Sequence, residues 1–382
     1  MWRLHRYLFF STATVALLSV AVIAILMVAG NAVMDLFDLI DEGKITSDAL
    51  WKLLQLLIPY TISFAMPAGT VVGVLVLMGR LSATSELTAM KASGISLWRV
   101  SVPVLLFCLL ASGMTAWINA YAAPAARASY KDLIPNAIRA EPLRLIVAKQ
   151  FVHDFPGYVV YVGDKTEEII RDIWIWELDD EKRAVCLLRA DTGDLRYDAD
   201  TDALILKLER GLVELRDESD PNDLGAVQPN LFFEHLQIQL SLAEVFGRTQ
   251  SNHKVGYLPL PQKIERLKQL SRRAERATPE EQRELRDEAI RVQFRIQEGF
   301  ASALSAFSLG LLAIPLGLKA SRKETSLNVA IAAGLTISYY ILTEVVGWLD
   351  GTPHLRPDLF IWLPNVGLQV LALYLLFKAN KH

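Results

Sequence analysis

The side chains able to do covalent chemistry in these 382 residues are few and scattered. His5, His235, His253, His354 and His382 have no second histidine at ligand spacing, and His153-Asp154 reads as a strand end rather than a catalytic pair. The two cysteines, Cys108 and Cys186, lie in segments of different character. Each is expected to act as a small apolar residue, and neither a disulfide nor a metal site is implied. No Walker A loop and no G-x-S-x-G elbow occurs. The remaining chemistry is electrostatic. It lies in cations that border long apolar runs and in one short segment, Gly79-Arg-Leu-Ser-Ala-Thr-Ser-Glu-Leu-Thr-Ala-Met-Lys-Ala-Ser-Gly94. There Ser82 is placed to cap a helix over 82–94, Glu86 sits near its positive end, and Gly94 can end it. Leu87 and Met90 share a face at i, i+3. Such a helix can dock into a partner's groove or lie as an amphipathic turn at a membrane interface.

The elements that must hold this segment are apolar helices. Hydrophobic residues make up 52% of the chain and charged residues 21%, but the apolar residues gather at the two ends while 127–298 look like soluble protein. Tyr7–Met34, Leu53–Gly79, Val100–Ala126, Gly299–Leu318, Thr325–Thr343 and Leu359–Phe377 are charge-free runs. Crossing the hydrocarbon takes about 20 such residues, so six membrane helices are expected. Arg3 and Arg6 precede the first run, yet a signal-peptide core is only ~7–15 residues, and a retained helix is expected. Arg3, Arg6, Arg80, Lys91, Arg99, Lys319, Arg322, Lys323, Lys378 and Lys381 fall on one side of this arrangement, against only Glu86 and Glu324. The loop 35–52 on the other side carries Asp35, Asp38, Asp41, Glu42 and Asp48 with Lys44 and Lys52. The positive-inside rule then places both termini in the cytoplasm and 127–298 outside. In the second run Gly69-x-x-x-Gly73 suits close helix packing, within the chain or against a neighbour. Glu344, near the outer end of the fifth run, is expected to face a cavity or to snorkel rather than to relay protons.

Residues 139–246 carry short β-branched and aromatic runs bounded by Asp, Gly and Asn, including Gly157–Gly163, Ile169–Leu178, Ala184–Ala190 and Asp202–Leu215. They predict an antiparallel sandwich or jelly roll. Pro261–Ala277 and the stretch beginning Thr278-Pro279-Glu280-Glu281 predict a solvated helical hairpin, the second helix running straight into the fourth span. Interspersed charge there argues against a nucleic-acid surface. The expected division is 1–126, three helices with a coupling helix at 82–94; 127–258, a β-jellyroll-like domain; 259–298, the hairpin; and 299–382, three more helices.

Gly79-Arg-Leu-Ser-x-x-Ser-Glu-Leu-Thr-Ala-Met-Lys-Ala-Ser-Gly94-Ile-Ser resembles the hallmark of the lipopolysaccharide export permeases, the LptF/LptG (YjgP/YjgQ) family. Leu311-Leu-Ala-Ile-Pro-Leu-Gly317 and Trp362-Leu-Pro-Asn365 are also similar to that family, as is the order of three spans, β domain, three spans. The resemblance implies the permease subunit of an ATP-binding-cassette transporter in the inner membrane of a Gram-negative bacterium. It would pair with a paralogous permease, a cytoplasmic ATPase dimer and a periplasmic jellyroll bridge, and its cargo would be lipopolysaccharide. It would bind no cofactor itself, ATP and Mg being used by the ATPase. By the same resemblance Ser85, Glu86, Leu87, Met90, Lys91 and Gly94 form the ATPase-coupling surface, with Glu86 pairing a basic residue. Lys44, Lys52, Arg127 and Lys131 are the candidate cations for the lipid head group, while Asp35 and Asp38 stand where some members carry a lysine. Two other readings are another envelope lipid or lipoprotein export permease, disfavoured by the 3+3 layout, and a non-transporting receptor or scaffold, which has no need of a coupling segment.

Overall fold

The computed structural model describes residues 1–41, 47–140, 142–153, 155, 157–166, 169–179, 181, 183–201, 203–216, 231–241, 256, 258–320 and 325–381. It divides into two units, Met1–Gly30 with Gln55–Ala128 and Lys254–His382, and Asn31–Leu54 with Ser129–His253.

The helices are α1 (Trp2–Asp41), α2 (Ser47–Ala83), α3 (Glu86–Ala92), α4 (Leu97–Trp117), α5 (Ala123–Ala140), α6 (Leu260–Ala274), α7 (Pro279–Ala320), α8 (Thr325–Gly347) and α9 (Leu363–Lys381). A π-helical turn, Ile118–Ala122, joins α4 to α5. Six stretches are long and apolar enough to cross a membrane: Trp2–Gly30, Leu50–Ala83, Leu97–Tyr130, Pro279–Leu318, Asn328–Gly347 and Pro357–Ala379. Helix α7 is one unbroken rod from Pro279. Its Thr278 N-cap donates from backbone N and Oγ1 to Glu281 Oε2, both at 3.0 Å, which is the glutamate half of a capping box.

Small residues set how closely these helices approach. A Cβ on Gly73 would lie 2.6 Å from Ala16 Cβ, and one on Gly69 would run into Val20. Gly69-x-x-x-Gly73 is therefore used inside the chain, against α1. Gly310 likewise faces Cys108, whose buried thiol fills the α4–α7 seam as a small apolar group. Polar groups buried in the bundle find each other, as they must where no water reaches. Asn365 is fully buried; its Nδ2 donates to Ala301 O at 2.9 Å and its Oδ1 accepts from Ser308 Oγ at 2.9 Å. Gln369 Nε2 donates to the same Ser308 Oγ at 3.0 Å, and Tyr339 OH donates to Ala301 O at 3.1 Å.

The second unit holds strands β1 (Phe151–Val152), β2 (Tyr158–Lys165), β3 (Ile170–Leu178), β4 (Ala184–Asp198), β5 (Ala203–Leu215) and β6 (Leu231–Ser241). They form one antiparallel sheet in sequential order, so every connection joins neighbours. Alternation in β5 is plain: Leu204, Leu206 and Leu208 are buried with Val160, Val162, Ile173 and Ile175, while Lys207 and Glu209 are exposed. The antiparallel β domain expected from the sequence is present; among the described residues its sheet is open, where a jelly roll would close it. Asp179 organises the β3–β4 turn, accepting from Arg183 N at 2.8 Å, Glu181 N at 3.0 Å and Arg183 Nε at 2.8 Å.

Candidate functional site

Two places in the membrane unit gather polar side chains. They lie at opposite ends of it, because α2 and α4 run from one to the other.

At one end is the turn between α2 and α4. Helix α2 does not stop at Gly79 but continues through Ala83, since Leu81 is fully buried and no breaker intervenes. The short helix therefore covers Glu86–Ala92 rather than 82–94, and Ser82 does not cap it: Ser82 Oγ donates to Leu318 O at 3.3 Å, the end of α7. The chain breaks instead at Ser85, in the left-handed region at φ 60°. Gly94 does end the helix. At φ +80° it donates its N–H to Lys91 O at 2.9 Å and Ile95 N reaches Met90 O at 3.0 Å, a Schellman stop whose Met90 and Ile95 both pack against the same core.

The faces of α3 differ from expectation. Leu87 is buried and Met90 half-buried, both against a core of this chain's own residues that includes Leu97, Val100 and Leu376. In this chain both are engaged by its own bundle, Leu87 more completely than Met90. Lys91 is exposed, yet its Nζ is engaged within the chain, donating to Ala379 O in the last turn of α9 at 3.3 Å. The outward face consists of Ser85, Thr88, Ala89 and Ala92, with half-buried Glu86 beside it, its Oε1 2.9 Å from the Thr84 hydroxyl. The i, i+3 apolar pair expected from the sequence is the face that packs on the bundle, as so short a helix needs an anchor.

At the other end is a cavity of about 420 Å³, within the range of small-ligand sites. Its wall includes Tyr60, Arg127, Lys263, Arg295, Glu298, Tyr339, Tyr340 and Glu344. The Arg127 guanidinium lies over the Tyr60 ring, 3.9 Å from the centroid. Arg295 pairs with Glu298 one turn on, at 3.0 Å. Lys263, on α6, is only 7% exposed. Burial pushes its ammonium below the usual lysine range; Glu298 pulls it back, and Arg295 and Arg127 push it further down. Three cations thus share one volume with two carboxylates, leaving an excess of positive charge in a partly desolvated place. The π turn places Asn119 in the same wall, its Nδ2 donating to Gly299 O at 3.0 Å while Ser63 Oγ donates to its Oδ1. That arrangement ties α2, α4 and α7 beneath the cations. Such π turns frequently mark functional positions.

Of the cations nominated from sequence, Arg127 lines this cavity. Lys52 is exposed at the start of α2 and does not. Lys44 and the side chains of Lys131, Asp35 and Asp38 lie outside the described residues. Glu344 does face the cavity. Sequence reasoning missed Lys263, Arg295 and Glu298. One signal was there: Lys263, Leu267 and Leu270 recur at i, i+4, i+7, a buried stripe with a lysine in it. Among the described residues no cluster of His, Cys, Asp or Glu suits a metal ion.

Six membrane-length helices, three before and three after an antiparallel sheet unit in the sequence, with a cationic cavity at one end of the bundle, are the layout of a multi-pass membrane protein. The model of the family described as lipopolysaccharide export system permease LptF/LptG matches residues 6–378, and the chain belongs to that family. It is accordingly a multi-pass inner-membrane protein and a permease subunit rather than an enzyme. No individual curated protein matches it.

Proposed function

We propose that this chain is the membrane subunit of an ATP-driven transporter that lifts lipopolysaccharide out of the inner membrane and passes it, through the sheet unit, to a periplasmic bridge of similar fold. Both termini lie in the cytoplasm, as the basic residues of the short loops favour. A paralogous permease completes the membrane part, and a cytoplasmic ATPase dimer supplies the work.

The observation that carries this reading is the cavity. Lipid A phosphates are dianionic at most and need cations that are already partly dehydrated, so that little water is displaced on binding. Arg127, Lys263 and Arg295 supply them in one volume. Glu298 pairs with Arg295, Glu344 faces the same volume, and Tyr60 orients the Arg127 fork. Lys52, Lys44 and Lys131 serve as further head-group contacts on the way in. At the other end, Glu86 with Ser85, Thr88, Ala89, Ala92 and Gly94 seats in the ATPase. Anchoring of Leu87 and Met90 in the bundle lets a push on that surface move the helices behind it.

A photo-crosslinking residue at Tyr60, in the complex copurified from membranes, tests the cavity. Lipopolysaccharide should be captured there, and Arg127→Glu with Arg295→Glu should abolish most of the capture. Undiminished capture by the double variant would remove the cavity from the route. Glu86→Ala should weaken retention of the ATPase on the purified permease; if retention is unchanged, the docking surface is wrongly placed.

A further inference from the structure

The end of α2 and the short α3 after it hold three further helices through their side chains. Arg80 Nη2 donates to Tyr7 OH at 3.0 Å and Ser11 Oγ at 2.9 Å on α1. Ser82 bonds the end of α7, and Lys91 bonds the end of α9. The hold on α9 is the most elaborate. A lysine ammonium at the last carbonyls of a helix meets both an unfilled acceptor and the negative end of the dipole. Trp98, at the start of α4, meets Phe377 edge-on with centroids 5.5 Å apart. Met90, Ile95 and Ala379 close the same apolar cluster around buried Leu376.

Helix α9 is gripped a second time nearer its other end. Asn365 and Gln369 both bond Ser308 on α7, and Asn365 Nδ2 lies 3.4 Å from Tyr339 OH while donating to Ala301 O. Tyr339 is itself part of the cavity wall. Both grips lie on one helix of 19 residues with no proline beyond its first turn, and from Asn365 to Ala379 it spans roughly 21 Å of stiff rod. Coupling between distant places needs a contiguous element held at both ends, and this is one.

We infer that α9 is a second output of the α3 helix: Lys91 is a positioning residue that ties α3 to the end of α9, and α9 carries displacement of α3 to the cavity wall through Asn365 and Tyr339. The inference rests on the reading of α3 as the ATPase-docking element. It differs from that reading in assigning Lys91 to the permease's own sixth span rather than to the ATPase contact.

The test uses the permease copurified with its ATPase in lipid vesicles, with Lys91→Met, Lys91→Arg, Phe377→Ala and Glu86→Ala. Three quantities are read: ATPase retained, ATP hydrolysed per lipopolysaccharide released to an acceptor, and hydrogen exchange over 337–347 and 363–381 before and after ATP. Lys91→Met should retain the ATPase and keep hydrolysis, yet raise the ATP used per lipopolysaccharide several-fold and erase the nucleotide-dependent exchange change at 337–347. Lys91→Arg should restore both, because a guanidinium can reach the same carbonyl. Phe377→Ala, which leaves Lys91 in place, should reproduce the loss in part and guards against misfolding of the lysine variant. Wild-type exchange response and wild-type stoichiometry in both Lys91→Met and Phe377→Ala would overturn the inference. So would loss of ATPase retention in Lys91→Met, which would return Lys91 to the docking surface. If Glu86→Ala alone leaves retention intact, it is the docking reading that fails.

Discussion

The two ends of the membrane unit use the same residue types in opposite ways. At the α3 end, Arg80 and Lys91 donate to neutral acceptors: a phenol, a hydroxyl and a helix-terminal carbonyl. These contacts fix geometry and leave the cation half in solvent. At the cavity end, Lys263 is buried, Arg127 lies on an aromatic face, and Arg295 shares its carboxylate with the field of two neighbouring cations. A charge held this way is costly to the fold, as one kept for a ligand would be. Fastening cations and receiving cations are thus told apart by what faces them.

The largest expected effect comes from the network between the two ends. Asn365→Leu leaves Ser308, Ala301 O and Tyr339 OH without their shared partner, at a cost of about 1–3 kcal/mol. The thermal midpoint of the purified permease should fall, and lipopolysaccharide release should fall further than ATP hydrolysis. Equal losses would mean that the ends act independently. Next is Gly94→Ala at the fastening end. A side chain at φ +80° costs on the order of 1 kcal/mol. ATPase retention should drop while crosslinking at Tyr60 is unchanged; a change at Tyr60 would erase the division of labour.

How much of this could be read from sequence follows from the range of each interaction. The six apolar runs and the Gly94 stop are local patterns, carried by residues within one helix length of each other, and they are seen where the sequence places them. The break at Ser85 was illegible because the Ser82 hydroxyl finds its acceptor at Leu318, in the fourth span. The inward face of α3 was illegible for the same reason, since Leu376 and Ala379 belong to the sixth. Arg127 stood out by its place just past an apolar run. Lys263 stood out less: its stripe with Leu267 and Leu270 is narrow in a highly charged helix, and the packing of α6 on α7, where Arg266 pairs with Glu288 at 2.7 Å, is not a local pattern.

The smallest expected effects separate receiving from fastening by the sign of a titration. Lys263 and Asp179, the latter on the β3–β4 turn of the sheet unit, both have pKa values below their ordinary ones. For Lys263 the cause is burial, so its charged form is disfavoured in the fold. The unfolded chain then holds more protons, and stability rises with pH between the lowered value and the ordinary ~10.4. For Asp179 the cause is the Arg183 backbone N–H, aided by the guanidinium, so its charged form is favoured. That contribution is present above the ordinary ~3.9 and is lost as pH falls through the lowered folded value. Lys263→Met should therefore raise the thermal midpoint at pH 7, by roughly 2–4 °C, and the gap to wild type should shrink as pH rises toward 10. The same variant should capture less lipopolysaccharide, as expected of a residue held at a cost for a ligand. Asp179→Asn should lower the midpoint of the sheet unit slightly at neutral pH, merge with wild type in strong acid, and leave capture untouched. If Lys263→Met were destabilising at pH 7 and its gap widened with pH, Lys263 would be a fastening residue, and the cavity would have one fewer cation to offer.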